Sequence, residues 1–180
     1  MSSKPDFSNM KLTSVLKEFL DLNEWTDEIR IGEDGDASLS STFKINNQGH
    51  SFFFEISESA ETFRVYMYSP FVVPVARRGE MAIVLNYINT LVSAGRFATS
   101  VGDDAAAVQF FTGVDVEGGQ LGHKMISSML DAAINYFDHF GSLIAAVALT
   151  KISASQAIEE FREEQEAAEA NEAVSVPDEL

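Results

Sequence analysis

Residues 64–74, Arg-Val-Tyr-Met-Tyr-Ser-Pro-Phe-Val-Val-Pro, constrain the fold more than any other stretch of this chain. Phe63, Val65 and Met67 fall on one face at period two, and Arg64, Tyr66 and Tyr68 fall on the other, which is the pattern of a strand. Pro70 has no N–H to give a ladder, so pairing is expected to end near Ser69. Phe71, Val72 and Val73, held between Pro70 and Pro74, then read as an apolar loop tucked under the next helix, with an exposed binding loop as the alternative that composition alone does not decide.

This strand selects its neighbours. Pairing Ser57 with Thr62 sets Ile56 beside Phe63, Phe54 beside Val65 and Phe52 beside Met67, and on the second face Glu55 beside Arg64 and Phe53 beside Tyr66. Upstream, Leu39, Phe43 and Ile45 share one face, with Thr42 and Lys44 on the other. Taking residues 47–50 as a hairpin loop pairs Ile45 with Phe52 and Phe43 with Phe54. One parity satisfies both hairpins, and a three-stranded antiparallel meander is expected.

Helices flank the meander. Residues 10–23 carry Val15, Leu16, Phe19 and Leu20 at helical spacing, with Asn9 placed to cap and Trp25 placed to plug the helix onto the sheet. Residues 77–93 form a second helix, with an apolar stripe of Met81, Val84, Leu85, Ile88, Leu91 and Val92, and Gly95 ends it. Phe97, Thr99 and Val101 open a fourth strand. A tight turn at 102–105 leads to a fifth with Val108, Phe110 and Val114, which sets Phe97 opposite Phe110 and Arg96 opposite Phe111. A third helix is expected from about Leu121 to about Ala154, with Met125, Met129, Ala133, Phe137, Phe140 and Ile144 along one side. Gly141 weakens its centre by about 1 kcal/mol relative to Ala and is read as a bend. The fold class is therefore α+β with an antiparallel sheet in the order α-βββ-α-ββ-α. Residues 1–155 form the folded unit. Residues 156–180 form an acidic tail, partly helical or disordered, and 159–180 hold nine acidic residues and one basic one.

Composition excludes several functions. The chain has 180 residues, 46% hydrophobic with 14 Phe, enough for one core. A net charge of −16 repels nucleic-acid phosphates and anionic headgroups, so neither nucleic acid nor membrane is expected as a partner. With no cysteine there is no disulfide, thiolate nucleophile or thiolate metal site. The first ten residues lack an apolar core, and the apolar run at 143–149 is far short of the roughly 20 residues that span a bilayer, so a cytoplasmic location is expected.

No catalytic constellation is legible. His50, on the expected hairpin loop, His123, at a helix start, and His139, on a helix face, have no metal-site spacing. Asp103/Asp104 and Asp115/Glu117 sit where turns and strand ends favour carboxylates anyway. No catalytic residue, cofactor or metal is assigned. The second sheet face is less ordinary. It carries Phe53, Tyr66, Tyr68 and Phe111 among Lys44, Glu55 and Arg64, and is more apolar than a water-facing surface usually is. Either a helix covers it or it meets another protein. With Met81 and Ile88 of the second helix, these four aromatics are the candidate protein interface, and the surplus apolar surface points to a homodimer.

Val65 to Pro74, followed by Leu85-Asn86-Tyr87-Ile88-Asn89 and then Val114-Asp115-Val116-Glu117-Gly118-Gly119, resembles the YbjN-domain family of bacterial sensory transduction regulators, over about residues 12–150. The resemblance implies the fold of type III secretion chaperones, which form homodimers and bind segments of other proteins. It implies no enzyme, no cofactor and no catalytic residues, and does not account for the acidic tail. The expected function is a non-enzymatic, protein-binding regulator or chaperone-like adaptor in bacterial signalling or stress response. The alternative is a small-ligand binder or enzyme with a pocket between sheet and helices.

Overall fold

A computed structural model of the chain describes residues 7, 9–100 and 105–174. It is α+β: α1 (Lys11–Leu22), β1 (Arg30–Ile31), β2 (Ala37–Ile45), β3 (Gln48–Ser57), β4 (Thr62–Pro74), α2 (Arg78–Leu91), β5 (Arg96–Thr99), β6 (Ala105–Asp115), α3 (His123–Leu149) and α4 (Ala154–Val174). A 3-10 turn, Val75–Arg77, leads into α2. The strands make one antiparallel sheet of six in the order β1-β2-β3-β4-β6-β5. The inward face of the sheet, with Leu39, Phe52, Phe54, Ile56, Phe63, Val65, Met67 and Phe110, is buried beneath the helices. Trp25 joins α1 to it, its ring 5.8 Å from Phe19 and 5.7 Å from Phe52.

The β3–β4 and β5–β6 registers are those the sequence predicts, including Phe53↔Tyr66, Glu55↔Arg64 and Arg96↔Phe111. Val101 and the turn expected at 102–105 lie outside the described residues, apart from Ala105, which opens β6. The β2–β3 hairpin differs. Its loop is only Asn46-Asn47, both at positive φ (50° and 63°), so Ile45 pairs with Gln48, Phe43 with His50 and Leu39 with Phe54. Two asparagines tolerate the left-handed backbone that a two-residue hairpin turn requires. The slip from the expected register is even, so every side chain keeps its expected face. His50 therefore lies in a strand, pointing inward, rather than on a loop.

β4 does not stop at Ser69. A bulge interrupts pairing between Tyr68 and Val72, after which Val72↔Ala107, Val73↔Ala106 and Pro74↔Ala105 resume. Pro70 sits within the bulge, where its missing N–H breaks no ladder bond. Ser69 completes the bulge: its Oγ accepts from Val108 N at 3.1 Å and donates to Phe71 O at 2.6 Å. The apolar triplet is thus a strand segment, with Val73 buried, Phe71 half-buried and Val72 exposed.

Long-range polar contacts hold the helix ends. Asn9 does not cap α1; the N-cap residue is Met10 and makes no side-chain cap. Glu58, from the β3–β4 turn, caps it from across the fold, accepting from Leu12 N, Thr13 N and Thr13 Oγ at 2.7–3.0 Å. A carboxylate at an N-terminus also meets the positive end of the helix dipole. Asn89 of α2 pairs with the outer edge of β5, donating to Phe97 O at 3.0 Å and accepting from Phe97 N at 2.8 Å. Gly95 reverses the chain there: φ is +72°, and a Cβ would lie 2.4 Å from the Phe110 ring.

The expected third helix is two. α3 ends at Leu149 and α4 begins at Ala154, after a break at 150–153. The inward stripe of α3 is Ile126, Leu130, Ala133, Phe137, Phe140 and Ile144; Met125 is exposed rather than inward. α3 is long and apolar enough, by length and composition, to cross a membrane. Here it is the core helix lying across β4 and β6. α4 docks on α2 and α3. Arg77 donates Nε–H to Val147 O at 2.9 Å and also bonds the Ile152 carbonyl, while Glu80 accepts from Ala154 N. Ala154, Ala157 and Phe161 are buried, so the expected start of the tail at 156 falls within a docked helix.

Candidate functional site

The outward face of the sheet is built by one transverse row of side chains. In register across β2, β3, β4, β6 and β5 run Ser40, Phe53, Tyr66, Phe111 and Arg96. Beside it runs a second row of Ser38, Glu55, Arg64 and Gly113. Tyr68 flanks the first row, its ring edge-on to Phe53 at 5.5 Å. Tyr66 and Phe111 stack at 5.9 Å with 23° between their planes, and the Arg96 guanidinium lies 4.3 Å above the Phe111 centroid. Strong β propensity explains why bulky rings occupy these strand positions, and cross-strand pairing explains their contact. At Gly113 a Cβ would approach Arg64 Cγ to 3.0 Å and Phe63 O to 3.1 Å, so glycine lets the Arg64 stem lie close to the sheet.

The described helices pack against the other face and leave this one uncovered. Phe53 is 39% exposed, Tyr66, Tyr68 and Phe111 are half-buried, and a shallow depression of about 280 Å³ lies between Phe53, Glu55, Tyr66 and Tyr68. Burial raises the Tyr66 phenol above its ordinary pKa, and the neighbouring Glu55 adds to the shift; Tyr68 is raised by burial and by the Glu55 charge. Both hydroxyls are therefore protonated donors at neutral pH. The face carries Arg30, Lys44, Arg64 and Arg96 against Glu55 and Asp115, with Arg64 Nη1 3.8 Å from Glu55 Oε2. It is a locally basic, aromatic surface on a chain of net charge −16. Such a surface can stack, donate hydrogen bonds and pair with carboxylates. Among the described residues no group of three or more His, Cys, Asp or Glu could hold a metal ion.

The structure thus brings Phe53, Tyr66, Tyr68 and Phe111 together, and the other two candidate residues go elsewhere. Met81 and Ile88 are fully buried, facing into the fold from α2. The exposed apolar residues of α2 are Ile83 and Leu91, at 54% and 51%, and Val72 and Val75 just before the helix are exposed as well. An apolar stripe read from period alone takes in the inward residues first. Ile83 lies off that stripe, and this was the signal for a second apolar side. Arg96 was legible from the β5–β6 register, but its position over Phe111 needs β6 to lie beside β4.

Comparison with known proteins concerns the fold and the family. No curated protein matches the sequence at a significant level. Among solved structures, the ExsC–ExsE complex includes a chain with TM-score 0.51 and 12% identity, covering 78% of this chain and 97% of its own. E. coli YbjN aligns with TM-score 0.47 and 12% identity over 76% of this chain and 87% of its own. The HopA1–SchA chaperone–effector complex gives 0.47 and 12%, over 73% and 94%. The fold is similar to that of the chain solved in the ExsC–ExsE complex. The family described as "Putative bacterial sensory transduction regulator" matches residues 13–146, and the chain belongs to this YbjN family.

Proposed function

We propose that this chain is a cytoplasmic, non-enzymatic regulator or chaperone-like adaptor that acts by binding a segment of another protein on its open sheet face. The observation that carries the reading is the in-register row Phe53–Tyr66–Phe111–Arg96, left uncovered by the described helices. Its chemistry favours a partner segment that presents apolar side chains together with Asp or Glu, which Arg64, Arg96 and Lys44 would meet. Membership of a regulator family supports it, as does the likeness in fold to a chain solved as the ExsC–ExsE complex. The proposal includes a role in bacterial signalling or stress response, for which the regulator family gives support on the signalling side.

The chain works as a homodimer in this proposal, and the exposed Ile83, Leu91, Val72 and Val75 supply the apolar surface for it. Sedimentation equilibrium at about 50 µM, where a micromolar interface is closed, is expected to give a dimer. A monomer alone at that concentration would refute it. For the sheet face, proteins captured from native lysate by wild type and by a Phe53→Ser/Phe111→Ser variant are compared by mass spectrometry. Partners are expected with wild type and lost with the variant while its far-UV spectrum is kept. The same partners on both would show that the face is not the binding surface.

A further inference from the structure

A cavity of about 210 Å³ lies on the other side of the sheet, between the β2–β3 turn, the β4 bulge and the middle of α3. Phe71 of the bulge and Phe137 and Ile144 of α3 give it apolar walls. Asn46, Gln48 and Asp138 stand exposed at its mouth, where Asn46 Nδ2 donates to Asp138 Oδ1 at 2.8 Å.

Two features of this cavity are costly to a folded chain. The first is Gly141. α3 runs unbroken through it, although glycine is a poor residue for a helix interior. A Cβ there would meet nothing within 4 Å. The fold has room for a side chain and leaves that room to the cavity that Gly141 lines. The second is His50. It is 4% exposed, its ring is 4.9 Å from that of Phe137, and its Nδ1 is buried with no hydrogen-bond partner. The Tyr68 backbone, at the start of the β4 bulge, lies close enough to the ring to oppose part of the effect of burial. Burial keeps the imidazole pKa below its ordinary value, so the ring is neutral at neutral pH, and in the tautomer with its proton on Nε2 the unpartnered Nδ1 presents a lone pair. A buried acceptor without a donor is the exception in folded proteins and calls for a partner.

We propose that this cavity binds a small organic ammonium ion, whose N–H donates to His50 Nδ1 and whose charge faces Asp138. A short apolar body, of about five carbon atoms or fewer, rests on Phe71 and Phe137 in the space beside Gly141. A carboxylate at the mouth and the chain's overall negative charge both favour a cation over an anion. The site is separate from the aromatic face and stands whether or not that face binds protein.

The test titrates the full chain with isobutylammonium, isobutyrate and isobutanol, which share a shape and differ in charge, and follows the ¹⁵N shifts of the His50 ring by NMR. Isobutylammonium is expected to shift Nδ1 saturably, isobutanol to bind about tenfold more weakly, and isobutyrate to leave His50 unmoved. Asp138→Asn is expected to weaken ammonium binding about tenfold. Gly141→Leu fills the space with a better helix former, so it is expected to melt no lower than wild type and to lose binding. Equal binding of the three probes overturns the proposal, as does an Nδ1 already hydrogen-bonded to water and unmoved by ammonium. Undiminished binding by Gly141→Leu does the same.

Discussion

Phe161→Ala tests whether α4 is part of the folded unit. Phe161 is 5% exposed, and its ring lies 5.7 Å from Phe140 and 5.5 Å from His139. Truncating a core Phe costs about 3–5 kcal/mol; with only the first turns of one helix covering this site, about 3 kcal/mol is expected. For a chain of 180 residues that lowers the thermal midpoint by about 6–12 °C. The companion is the chain ending at Arg162. It keeps Ala157 and Phe161, discards exposed glutamates, and removes the like-charge pairs Glu159/Glu163 and Glu160/Glu164, which oppose the helix by a few tenths of a kcal/mol each. Its midpoint is expected within about 3 °C of wild type, an allowance of about 1 kcal/mol. Both are read by circular dichroism melts at fixed salt. The reasoning fails if Phe161→Ala melts with wild type, or if ending the chain at Arg162 costs as much as removing the ring.

Glu58→Ala removes the carboxylate that takes three donors at the start of α1, and is expected to cost about 1–3 kcal/mol by urea denaturation; an unchanged midpoint would mean that water serves as well. Phe71→Ala is expected to cost about 1–3 kcal/mol, less than a core Phe, because the side chain is half-buried; a loss of 4 kcal/mol or more, as for a fully buried Phe, would contradict the exposure seen here. His50 adds a pH dependence. Its folded pKa lies below the unfolded value of 6.5, so the unfolded chain takes the proton more readily. Its contribution is complete above about pH 6.5 and is lost as the pH falls through that value toward the folded pKa. Wild type should therefore lose more stability than His50→Phe between about pH 7.5 and 5.5, and parallel losses would show that His50 does not titrate with folding.

The local pattern alone determined the faces. Period-two alternation at 52–56 and 63–67 set which residues point inward, and this survived the error in the β2–β3 loop because a slip of even length moves no side chain across the sheet. The acidic balance and the absence of cysteine were likewise complete in the sequence. What no local pattern carries is which distant elements meet. The placement of β6 between β4 and β5 brings Phe111 to Tyr66, and it depends on a connection through α2 whose path only the assembled core decides. Glu58 caps α1 from 46 positions away, so a search for a neighbouring cap finds Asn9 instead. α4 follows the same logic: propensity makes residues 154–174 helical, but only the α2–α3 surface, with Arg77 and Glu80 at its edge, gives Phe161 somewhere to be buried. His50 shows the converse, because a two-residue turn drew a presumed loop residue into the core and left its Nδ1 against a cavity.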